Sequence, residues 1–125
     1  MQRFSWKARF KSFTYAWAGI ITFIKSEHNA WIHLAATIIA ITAGFVLHIQ
    51  QGEWIAISGC ITLVWVAEMV NTAIEKTMNH LSPERSEAVK DIKDIASGAV
   101  LLAAIFAAVT GCTVFIPRLL QALGY

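Results

Sequence analysis

Formal charge is scarce in this sequence, and the scarcity comes in blocks. Only 14% of the 125 residues are Asp, Glu, Lys or Arg, against 57% that are hydrophobic. No charged residue occurs from His28 to Gly52, from Trp54 to Ala67, or from Ile95 to Pro117. Such blocks exclude a soluble amphipathic bundle and indicate a small integral membrane protein. The first and third exceed the roughly 20 residues that cross a hydrocarbon core of about 30 Å, and the second reaches that length when Met69 to Ile74 is added after Glu68, so three crossings are expected.

Other absences narrow the reading. The first 26 residues lack an uninterrupted apolar run with a small-residue cleavage site, so no cleaved signal peptide is expected. Cys60 and Cys112 both fall inside apolar blocks, where a bridge is unusual, and they read as small apolar residues. His28, His33 and His48 show no helical-turn pairing with Cys or carboxylates of the kind a zinc site uses, and His80 has only Glu84 at that spacing, across the Ser82-Pro83 break. There is no low-complexity tract or internal repeat, and one domain over 1–125 follows. No G-x-x-x-x-G-K-[ST] phosphate loop is present, so any nucleotide site must be of another kind.

The charges that are present fall asymmetrically. Arg3, Lys7, Arg9, Lys11 and Lys25 precede the first apolar block, and Lys76, Arg85, Lys90 and Lys93 lie between the second and third. Arg118 alone lies beyond the third, and the connection around Gln50 to Glu53 has no basic residue. By the positive-inside rule the N-terminus and the 76–94 connection face the cytoplasm and the C-terminus lies outside. Before the first block, Phe10, Phe13, Trp17, Ile20, Ile21 and Ile24 recur near helical spacing among lysines. That pattern predicts an amphipathic surface helix over 1–26. The fold expected is thus an all-α membrane protein, with that helix and three transmembrane helices at about 28–50, 54–79 and 94–117. Ser82-Pro83 marks the break before the last, charged helix start.

The most informative polar residues are Glu68, Asn71, Thr72 and Glu75. Their spacing places them on one helical face at the end of the second block. An intramembrane carboxylate costs roughly 2.5–3.5 kcal/mol on the lenient insertion scale, so the stripe requires a polar pocket or partner. Lys93 and Asp94 at the start of the third block, and Glu27 at the mouth of the first, fall at the same level. Neighbouring carboxylates can hold Mg²⁺ with substrate phosphates, a lysine can neutralise a phosphoryl oxygen, and a deeper carboxylate can take a proton from an alcohol. Those are the parts of phosphoryl transfer. Intramembrane carboxylates also serve proton or ion translocation, or interhelical hydrogen bonding in an assembly protein. Against translocation, no acid or base continues the path through the other half of the spans. In the third span Ala99, Ala103, Ala107 and Gly111 recur every fourth residue, a close-packing face that argues for an oligomer.

Together these residues resemble a known family, the small bacterial membrane lipid kinases that phosphorylate diacylglycerol or undecaprenol. The likeness rests on Glu68-x-x-Asn71-Thr72-Ala73-Ile74-Glu75, the later run Lys93-Asp94-Ile95-Ala96-Ser97-Gly98, Tyr15-Ala16-Trp17-x-Gly19, and Ser26-Glu27-His28-Asn29-Ala30-Trp31-Ile32-His33. It spans about residues 9–112. The resemblance implies Glu68 as general base toward the lipid hydroxyl, and Glu27 and Glu75 as acids holding the metal of Mg·ATP. It also implies Asn71 as a polar support and Lys93 with Asp94 as a nucleotide-binding pair, with Tyr15, Glu84, Arg85 and Ser86 near the nucleotide. Lys90-Asp91 is a second Lys-Asp step outside the motif. The family implies a homotrimer with composite sites, Mg²⁺ and ATP, a lipid alcohol as acceptor, and the bacterial inner membrane; no nucleic-acid partner is expected. His28 and Trp31 stand where many relatives are basic, and Arg9 is one place out of the proteobacterial register. The Glu27 to His33 stretch and the Ser82-Pro83-Glu84 turn look more like the undecaprenol-kinase branch.

Overall fold

The computed structural model describes residues 3–82, 84 and 86–125. Among these there are four helices and no strand: α1 (Trp6–Ser26), α2 (His28–Val46), α3 (Gln51–Leu81) and α4 (Glu87–Ala122). The last three are long and apolar enough to cross a membrane. Their outward faces carry Ile38, Ile39, Leu101, Leu102, Ile105 and Phe106, all well exposed, while no large side chain among the described residues is fully buried. A chain with so thin a core of its own places its apolar surface against something other than water.

Local chemistry fixes the helix ends. Ser5 caps α1 by accepting from the Ala8 N–H at 3.4 Å. Glu27 alone separates α1 from α2: its N–H donates to the Phe23 carbonyl at 3.1 Å, and its carbonyl accepts from Ala30 at 3.2 Å. Its extended backbone, φ −114° and ψ 121°, turns the chain without a loop.

The α2 helix stops at Val46, earlier than the apolar run, which continues to Ile49. His48 adopts a left-handed φ of 50°, the Ile49 N–H reaches back to the Gly44 carbonyl at 3.1 Å, and the His48 N–H reaches Phe45 at 3.3 Å. This is a Schellman closure with histidine in the position that usually holds glycine. Next, α3 begins at Gln51 because Gln50 and Glu53 form a reciprocal capping box, with the Gln50 N–H donating to Glu53 Oε2 at 2.6 Å. Gly44 lets the hairpin close: a Cβ there would stand 2.5 Å from Trp54 Cη2 and 2.8 Å from Cζ2. Trp54 also lies against Phe45, with ring centroids 4.8 Å apart.

The α4 helix packs back along α3, and these two form the principal pair of the fold. Arg118 reaches Glu53 at one end of the pair, 2.9 Å apart, and Lys93 donates to Asn79 Oδ1 at the other. Between the closed hairpin and α4 lies a small cluster of Ile49, Ile57 and Val114, flanked by Trp54, Ile61 and Phe115.

The helices outrun the expected spans. The α3 helix covers Gln51–Leu81, and α4 starts at Glu87 and passes through Pro117 to Ala122. The cap of α4 is Ser86, accepting from the Val89 N–H at 3.2 Å, and the expected break at Pro83 lies outside the described residues. At 1.5 Å per residue, α3 and α4 are about 46 and 54 Å long, well beyond a core of about 30 Å. Both cysteines are free, Cys60 buried and Cys112 exposed.

Candidate active site

The stripe expected on α3 forms. Glu68 and Thr72 are the buried polar side chains among the described residues, at 7% exposure each, and Asn71 and Glu75 are half-buried. Burying a carboxylate is costly without a partner. The partner of Glu68 is His33 on α2, whose Nε2 lies 2.9 Å from Glu68 Oε1. One turn along, Trp65 Nε1 donates to Thr37 Oγ1 at 2.9 Å, and that hydroxyl donates to the His33 carbonyl at 2.7 Å. Trp65 also meets Phe23 of α1 edge to face, with centroids 5.9 Å apart. Three helices thus converge on the turn of α3 that carries Glu68.

Asn71 presents a different problem. Its Oδ1 is buried and has no hydrogen-bond partner. It lies in an apolar recess between α3 and α4 lined by Ala67, Val70, Ile74, Ile92 and Ala96. An unmatched buried acceptor costs on the order of 1–3 kcal/mol, a cost that a ligand can remove.

Beyond Glu75, the next residue, Lys76, reaches across to the joint between α1 and α2. Its Nζ donates to Ser26 Oγ at 2.9 Å and stands 3.7 Å from Glu27 Oε1. This contact ties Glu27 to the turn of α3 that bears Glu75. The carboxylates of Glu27 and Glu75 are oxygen donors of the type Mg²⁺ takes, an ion that uses few protein ligands and completes its shell with water and phosphate. Among the described residues no three His, Cys, Asp or Glu side chains lie together as a group that could hold a metal ion.

Lys93 and Asp94 do not pair with each other. Lys93 donates to Asn79 on α3, and Asp94 receives Lys90 Nζ at 2.7 Å within α4. Lys90, set aside as part of a stray Lys-Asp step, is therefore the partner of Asp94 in the single chain. A surface recess gathers Ser86, Glu87, Lys90, Lys93 and Asp94 at the start of α4. Ser86 uses its hydroxyl as the helix cap, and Glu84 is exposed, its carbonyl accepting from Ser82 Oγ at 3.4 Å. Tyr15 is exposed on α1, with Lys11 Nζ 5.8 Å from its ring centroid, and makes no contact with the α3 stripe among the contacts described. Arg85 lies outside the described residues.

Sequence reasoning missed His33 and Lys76 as partners. A signal for His33 was present, because an imidazole inside an uncharged span needs a polar neighbour, and Glu68 was the carboxylate on offer. Lys76 carried no comparable signal, since its contact depends on how the α1–α2 joint folds.

A sequence model of prokaryotic diacylglycerol kinase matches residues 14–115. The undecaprenol kinase of Bacillus subtilis is 34% identical over 110 residues, covering 88% of this chain and 89% of that protein. A diacylglycerol kinase of Synechocystis is 37% identical over 113 residues, covering 88% of this chain and 63% of that longer protein. The Escherichia coli K12 diacylglycerol kinase is 28% identical over 109 residues, covering 82% of this chain and 84% of that protein.

Proposed function

The chain belongs to the prokaryotic diacylglycerol kinase family and is a membrane lipid kinase, and from that premise we propose that it transfers the γ-phosphate of Mg·ATP to a lipid alcohol. The observation that carries this reading is the buried Glu68 carboxylate on one stripe with the unmatched Asn71 oxygen and Glu75. Glu68 takes the hydroxyl proton as the lipid oxygen bonds to the transferred phosphorus and the bond to the departing nucleoside diphosphate breaks. Glu27 and Glu75 hold the metal, whose charge offsets that of the phosphates. Lys93 exchanges its Asn79 contact for a phosphoryl oxygen, and Asp94 assists at the nucleotide with Ser86, Glu84, Arg85 and Tyr15 at its margin.

The wider setting follows from the same reading. One domain spans 1–125, with α1 lying in the cytoplasmic interface of the bacterial inner membrane and the C-terminus outside. That orientation rests on nine of the ten basic residues falling on the Glu75 side. A homotrimer is favoured by the large apolar side chains the single chain leaves exposed on α4, Leu101, Leu102, Ile105 and Phe106 among them; of the small-residue stripe only Ala99 is exposed, Ala107 and Gly111 being half-buried and Ala103 buried within the chain. Undecaprenol is the preferred acceptor, on the likeness of the Glu27 to His33 stretch and on the near-complete overlap with the Bacillus subtilis relative.

The test is incubation of the purified protein with Mg·ATP and a panel of undecaprenol, diacylglycerol and ceramide. Undecaprenol is expected to turn over fastest, and equal turnover of all three would remove the preference. Parental activity in Glu68→Gln would remove the assigned base.

A further inference from the structure

The geometry points to His33 as a positioning residue for Glu68, an inference that rests on Glu68 being the base proposed above. The Nε2 to Oε1 contact of 2.9 Å joins α2 to α3 at the buried carboxylate. With its proton on Nε2 the imidazole donates to Oε1, and Oε2 makes no hydrogen bond among the described residues. A carboxylate held by one oxygen has a single orientation and a single free oxygen, which is what a base acting on one hydroxyl requires.

His33 is itself held. Its carbonyl accepts from Thr37, which accepts in turn from Trp65 on α3. Two interhelical contacts on successive turns, His33 with Glu68 and Thr37 with Trp65, fix both the register and the rotation of α2 against α3. His33, Thr37 and Trp65 also form the polar rim of an otherwise apolar cleft that continues past Cys60 and Ala104. An acceptor whose chain lies along that cleft brings its hydroxyl to the rim. The residue that aims the base at that hydroxyl is His33.

The experiment compares His33→Gln with His33→Leu, alone and combined with Glu68→Gln, reading kcat and the KM for ATP in mixed micelles. Glutamine places an amide nitrogen where Nε2 stood, whereas leucine keeps bulk and removes the donor. His33→Leu is expected to lower kcat on the order of tenfold to a hundredfold, with the KM for ATP within about twofold. His33→Gln should stay within about fivefold of the parent. In the Glu68→Gln background His33→Leu should cost less than about twofold more, because its action passes through the missing carboxylate. An unchanged kcat in His33→Leu, or an undiminished effect without Glu68, would overturn the inference while leaving the base assignment in place. Full activity of Glu68→Gln alone would overturn both. Should His33→Leu not fold, His33→Ala with and without added imidazole replaces it: restored kcat supports the role, and no restoration in a folded variant refutes it.

Discussion

The two ends of the α2–α3 hairpin are built on opposite principles. At the 47–50 end the backbone ends and the Glu53 carboxylate are matched. The Schellman bonds close α2, the capping box opens α3, Arg118 of α4 neutralises Glu53, and Trp54 fills the space that Gly44 leaves. At the other end, the joint at Glu27 is a single residue, Asn71 keeps a buried oxygen unmatched, and Lys93 rests on an amide instead of an acid. The difference separates stability from chemistry along the same pair of helices. One end holds the geometry, and the other keeps polar groups that, on the proposed function, a bound phosphate or metal would complete.

That contrast can be broken from either side, and the largest effect is expected at the chemical end. Glu68→Gln should lower kcat by roughly 10²- to 10⁴-fold, the range of general base catalysis, while the helical circular dichroism and elution volume stay parental. Glu75→Gln comes next: it should raise the Mg·ATP concentration for half-maximal rate by about 10- to 100-fold, read by titrating magnesium at fixed ATP. At the structural end Gly44→Ala drives a methyl group into Trp54. It should cost about 1–3 kcal/mol in an unfolding titration, with the specific activity of the folded fraction unchanged. The smallest effect has the opposite sign. His48→Gly relieves a side chain at φ 50° and should stabilise by about 0.5–1 kcal/mol, again without altering turnover. If Gly44→Ala lowered kcat in fully folded protein, the two ends would not be separable.

Much of this arrangement was legible in the sequence. Uncharged blocks located the three long helices, and the Glu68 to Glu75 spacing located the polar stripe, because both depend on periodicity within one element. Helix ends were less legible. The apolar run does not stop where α2 stops, since the stop is set by the left-handed His48, and histidine gives no warning of that conformation. Pro83 drew the expected start of α4 forward, yet the cap that forms is Ser86. Partners across helices were least legible. Lys93 and Asp94 are adjacent in sequence but project around α4 by about 100° from one another, so one meets α3 and the other returns to Lys90. His33 could be found by asking what an imidazole in an uncharged span, or a buried carboxylate, holds.

The uninterrupted course of α3 has one more consequence. Between Glu68 and Glu75 the helix contains neither glycine nor proline, so a separation of seven residues fixes a rise of about 10 Å between the two carboxylates. A bilayer sorts hydroxyl groups by height, holding each lipid's alcohol at a depth set by its headgroup and chains. With Glu68 in its proposed role as base, the helix would act as a ruler standing in that gradient, and an alcohol held too close to water or too deep would pass Glu68 at the wrong level whatever its shape.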